Sequence, residues 1–210
     1  MSLPVPAVPA SPGPTPQASF SEANSDDLPR KCRVAFRAVV VLLSFLQAWA
    51  ARFEMTVDGV SYLDIGDAYF RGDWKGAVNA YWSPFYSWLA VLPRHILHIP
   101  ISWESRFVHF ENFCIALLTL ASFEHFLTGL LRWPPATEPA SGCVPLPRWG
   151  LRAIGYALYL YAAISWLTPA LVGPDLLVEA LVFLTAGVIL RIRAGASTLS
   201  FLEFFLAPVI

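Results

Sequence analysis

Charge is scarce in this chain. Only 14% of its 210 residues are charged, where soluble domains carry ~25%. With 56% of residues hydrophobic, this composition excludes an ordinary soluble domain and points to a membrane chain with several spans. A net charge of −1 and the lack of a basic stripe exclude nucleic acid as a partner. Cysteine is scarce too. Cys32, Cys114 and Cys143 are far apart, lack metal-ligand spacing and read as unpaired thiols. No period of ~20–50 residues repeats, which excludes a solenoid.

Proline is concentrated instead of absent. Residues 1–29 hold seven of the 18 prolines, so segment 1–33 reads as a disordered cytoplasmic tail. Then come the apolar runs. A span needs ~20 largely apolar residues, and 34–53 meets that length. The "AWA" at 48–50 resembles a signal-peptide cleavage site, but the long leader and long apolar run favour an uncleaved first span. Further spans are expected at 106–131, 153–168 and 175–190, and a fifth apolar segment runs from 198 to 210, as in the first part of a longer chain. "WPPATEPASGCVPLPRWGLR", with five prolines, reads as a loop. The expected fold is all-α: a polytopic membrane helical bundle with a large outer loop of interfacial helices, residues 54–105, between the first two spans.

The basic residues orient this bundle. Nine of the 14 (Arg30, Lys31, Arg33, Arg37, Arg132, Arg148, Arg152, Arg191 and Arg193) fall on the side of the tail. Five (Arg52, Arg71, Lys75, Arg94 and Arg106) fall on the other. The excess places the N-terminus in the cytoplasm and loop 54–105 outside, with a bacterial inner membrane the expected setting.

That loop gathers the acids. "VDGVSYLDIGDAYFRGDW" carries Asp58, Asp64, Asp67 and Asp73. It reads as a short helix with Asp58 as N-cap and with Tyr62, Ile65 and Tyr69 on a face toward the membrane interface. Asp73 before Trp74 reads as an N-cap, and Asp67 as a solvated side chain. "WSPFYSWLAVLPRHIL" reads as an interfacial helix broken by Pro93, Arg94 and His95, among belt aromatics that include Tyr81. Asp58 lies just past the first span, where partial burial can tune a carboxylate toward a general base. Asp175 and Glu179 share a helical face in the fourth span, where Asp175 also serves as a cap candidate. His109, Glu111, Glu124 and His125 in the second span read mainly as packing groups; a proton relay in a transporter is the alternative. Asp58 with neighbouring oxygens has the chemistry for a hard divalent cation. No spacing demands one, and the sequence requires no cofactor.

Asp58, Tyr62, Ile65, Gly72, Asp73 and Trp74, followed by "YWSPFYSWL" at 81–89 and by "TPALVGPDLLVEALVFL", resemble the N-terminal part of GT-C integral-membrane glycosyltransferases. Examples of that superfamily are protein O-mannosyltransferases and the lipid A aminoarabinose transferase. Position 59 is Gly, where many relatives carry a second acid. The resemblance implies transfer of a sugar from a polyprenyl-phosphate donor to an acceptor at the outer face, with membrane lipid as surroundings. It implies Asp58 as the catalytic base and puts Asp175 near the cavity. Arg71, Lys75, Arg94 and Arg106, with Tyr81, are the candidate substrate-binding residues. A transporter and a non-catalytic membrane scaffold are the competing classes.

Overall fold

A computed structural model describes residues 27–132 and 146–194. Most of the tail, most of the proline-rich loop with Cys143, and the apolar segment 198–210 lie outside the described residues. The described part is all-helical. Helix α1 spans Arg30–Ala51, α2 Val57–Arg71, α3 Trp74–Ala77 and α4 Pro84–Ile96. A 3-10 turn, Ile101–Trp103, leads into α5, Glu104–Arg132; α6 spans Arg148–Ser165 and α7 Asp175–Arg193.

Pairings fix the directions of the four long helices. Asp27, just before α1, accepts from Arg152 near the start of α6, and Arg37 early in α1 donates to Glu124 late in α5. At the opposite end the Ser105 hydroxyl meets the carbonyls of Arg52 and Glu54. Thus α1 and α6 run one way and α5 the other. Thr119 of α5 donates to the Leu176 carbonyl, and Gly129 lies against Leu190, so α7 runs parallel to α5. The resulting up-and-down bundle places residues 54–103 at one end and Asp27, Arg132, Arg148 and Arg193 at the other.

Two helices, α1 and α5 with its 3-10 turn, are long and apolar enough to cross a membrane. Helix α7 carries Asp175, Glu179, Arg191 and Arg193, and α6 carries two arginines and three tyrosines. Helix α1 buries Phe36, Val40, Ser44 and Ala48 at every fourth position. It exposes Val39, Leu42, Leu46 and Trp49 on the remaining surface. A helix that is apolar all round suits lipid or a large core, not a water-facing surface.

The end that carries Asp27 is tied by a polar cluster. Glu124 is almost fully buried and accepts from Arg37 at 3.2 Å and from the Tyr156 hydroxyl at 2.9 Å. Arg152 grips Asp27 through two bonds of 2.7 and 2.8 Å, and Arg33 adds a third at 3.2 Å. Burial alone would raise the Asp27 carboxyl, but the Arg152 hydrogen bond, the Leu28 backbone and both arginine charges hold it below its ordinary value. Asp27 therefore belongs to the folded bundle and not to a disordered tail, as does the helix that opens at Arg30. Phe36 stacks on Tyr156 at 3.7 Å beneath this cluster.

Candidate functional site

The "GDW" motif has a local explanation. Gly72 sits at φ 73° and ends α2; its N–H reaches the Tyr69 carbonyl and that of Asp73 reaches Ala68. These two bonds close the helix in the left-handed terminal turn that glycine favours. Asp73 then accepts from Gly76 at 3.1 Å as N-cap of α3. Trp74 meets the edge of Tyr69 at 5.8 Å. The Asp73 cap is as expected, and its role is turn formation.

Asp58 is not the cap of α2. Thr56 is: its hydroxyl oxygen accepts from the Gly59 N–H at 3.0 Å and lies 3.3 Å from the Val172 carbonyl. The threonine methyl and hydroxyl fit this corner, and the Asp58 side chain is left exposed in the first turn, where the helix N-terminus favours an anion. Gly59 lets the Pro169–Pro174 link come close. A Cβ there would lie 2.8 Å from Val172 Cβ, so the second acid of the resembling proteins has no room at this position.

Two acids far apart in sequence act on one tyrosine here. Asp175 opens α7 without a capping hydrogen bond, and the negative charges of Asp175 and Asp58 both bear on Tyr62. Burial first, and then those two charges, push the Tyr62 hydroxyl above its ordinary value, which keeps it neutral and able to donate. Tyr81 is exposed and meets Trp82 edge-on at 4.7 Å. Tyr62 meets Trp82 at 4.9 Å and Tyr86 at 5.0 Å, both edge-on. The Tyr86 hydroxyl donates to Asn112 at 2.9 Å, and Asn112 donates to the Leu171 carbonyl at 2.9 Å. Tyr62 is thus linked through Tyr86 to Asn112 on α5. The site gathers two exposed carboxylates with phenols and indole rings.

The α2 face carrying Tyr62, Ile65 and Tyr69 packs against protein, not the membrane interface. Gly66 permits this, since a Cβ there would stand 2.6 Å from the Ser87 carbonyl oxygen on α4. Helix α4 runs on through Pro93 to Ile96. Its exposed face is Phe85, Trp88, Leu92 and Ile96, an apolar stripe.

The candidate cations divide. Arg94 is buried and paired with both Asp67 and Glu104, so it is already neutralised, and Asp67 is not a solvated acid. Arg71 and Lys75 are exposed at the far end of α2 and on α3, roughly 20 Å along the helix from Asp58. Neither joins the acid pair. Arg106 lies over Phe53 and Trp103 at 4.8 and 4.5 Å.

Inside the bundle, His109 sits between the Glu54 and Pro169 carbonyls at 2.9 and 3.2 Å and pins the α6–α7 link. Glu179 faces Tyr159. Both carboxylate oxygens of Glu111 are buried without a hydrogen-bond partner, within the electrostatic reach of Arg94. Among the described residues no group of three or more acids, histidines or cysteines converges as metal ligands. Sequence reasoning passed over Arg52, whose place between Trp49 and Phe53 was the available signal. No family model, curated protein or solved structure matches the chain.

Proposed function

We propose that the chain is an integral-membrane glycosyltransferase of the GT-C kind, taking a sugar from a polyprenyl phosphate to an acceptor at the outer face, with Asp58 as general base. The observation that carries this reading is that the charges of Asp58 and Asp175, both exposed, bear on Tyr62, which is buried against Trp82 and Tyr86. One exposed carboxylate takes the acceptor proton as the acceptor oxygen or nitrogen attacks the anomeric carbon; the phosphate leaves with the bonding electrons. The second acid and the neutral Tyr62 hydroxyl orient sugar or acceptor hydroxyls by hydrogen bonding. The aromatic walls suit the apolar face of a sugar ring. Helices α1 and α5, long and apolar enough to cross a bilayer, support the membrane setting. The excess of basic residues supports a cytoplasmic inner end.

The test is sugar transfer from labelled polyprenyl-phosphate sugars by the full chain in liposomes. Asp58→Asn is expected to lower the rate by ~10²–10⁴-fold, the usual contribution of a general base, with expression unchanged. Full activity in that variant would remove Asp58 from the chemistry. A transporter is the second reading, favoured by the unpartnered Glu111 carboxylate. Proton-coupled uptake lost in Glu111→Gln, in the absence of any transfer, would select it. Against a continuous relay stands Glu124, whose Oε1 is held by Arg37 and Tyr156.

A further inference from the structure

Two guanidinium groups share one aromatic ring at the outer end of α1. Arg52 lies 4.3 Å from the Trp49 ring and 4.5 Å from Phe53; Arg106 lies on the same Phe53 ring and on Trp103. The Ser105 hydroxyl holds the two helix ends together through the Arg52 and Glu54 carbonyls. Among the described residues neither arginine has a carboxylate within ion-pair distance, although Glu54 is adjacent and exposed. Arg33, Arg37, Arg94 and Arg152 each have one. Stacking occupies the faces of a guanidinium and leaves its in-plane N–H donors available to oxygen anions. Arg52 spends one of those donors on the Trp49 carbonyl.

Beside this pair runs an apolar groove of about 300 Å³, lined by Ile99, Pro100, Trp103, Phe107 and Phe110, with Arg106 at its edge. That volume lies at the lower end of the range for ligand sites. Two uncompensated cations at the head of a hydrocarbon-lined groove are complementary to a molecule with an anionic head and an apolar chain. We propose that Arg52, Arg106 and this groove form a binding site for a lipid phosphate, with the chain in the groove and the phosphate oxygens on the two guanidiniums. This deepens the reading above and rests on it for the donor's identity only; the site itself follows from charge and shape.

The experiment measures equilibrium binding of radiolabelled dodecyl phosphate to the full chain in nanodiscs of zwitterionic lipid, with empty nanodiscs subtracted. Saturable binding is expected. The double substitution Arg52→Gln with Arg106→Gln is expected to weaken it by at least about tenfold, since two charge-assisted contacts are lost. Lys31→Gln, a charge loss at the far end of α1, is expected to leave it unchanged. Dodecanol and inorganic phosphate at equal concentration should not compete. Wild-type affinity in the double variant overturns the proposal. So does equal competition by inorganic phosphate, which would mark a phosphate site without a lipid component, or by dodecanol, which would mark a groove without a headgroup site. If the double variant fails to fold, Ile99→Trp decides by filling the groove, and undiminished binding then overturns the proposal. No turnover is involved, so loss of sugar transfer with intact binding would count against the catalytic reading alone.

Discussion

At the scale of single residues, Gly59 shows how a position reads differently in sequence and in space. In the chain it stands where an acid was expected beside Asp58. In the fold it is the contact between α2 and the α6–α7 link, with no room for a Cβ against Val172 or the Thr56 hydroxyl. Gly59→Ala should therefore cost about 1–3 kcal/mol through overpacking and move Asp58 away from Asp175. The melting temperature in detergent and the transfer rate should fall together. Asp27 carries a pH dependence of opposite origin. Its carboxyl titrates below the ordinary 3.8 in the folded state, so it adds stability above that pH. The contribution is lost as pH falls through the lowered value. The difference in melting temperature between wild type and Asp27→Asn should shrink below about pH 4. No periodicity could announce this, because the partner, Arg152, is 125 residues away.

Among the helices, boundaries followed from local signals. Apolar runs, the Gly72–Asp73 pair and the Gly173–Pro174 link placed α1, α2, α5 and α7 within a few residues of their positions. What packs on what did not follow, because it depends on where small residues let backbones approach. Gly187 is one case: a Cβ there would stand 2.5 Å from His125 Cδ2 and 3.2 Å from Phe126 Cα. Gly187→Val should separate α7 from α5 and cost about 1–3 kcal/mol, read as a lower unfolding midpoint in a detergent titration. The polar tie around Glu124 behaves as a unit. Glu124→Ala would leave Arg37 and the Tyr156 hydroxyl without an acceptor, with a cost of ~3–5 kcal/mol. Arg94 was legible as a cation but not as a spent one, since its two acids come from α2 and from the start of α5.

For the whole molecule, basic residues at one end and acids with aromatics at the other predict an orientation. With the native cysteines replaced by Ser, a cysteine at position 75 should react with an impermeant maleimide on intact cells. One at position 31 should react only after permeabilisation. The opposite pattern would invert the bundle. Asp58 could be singled out from sequence because it follows the first apolar run. Its partnership with Asp175 could not, because it depends on a link of prolines and glycine folding back onto α2.

The bond between Thr56 and the Val172 carbonyl spans 116 residues, and this has a consequence for biosynthesis. At ~5–20 residues per second, Asp58 leaves the ribosome roughly 6–20 s before the segment that completes its surroundings. During that interval α1 and α2 exist without α7, and the two carboxylates are not yet neighbours. The surroundings of Asp58 are therefore complete only once the last described helix is in place, and whatever needs both carboxylates begins after that point in translation.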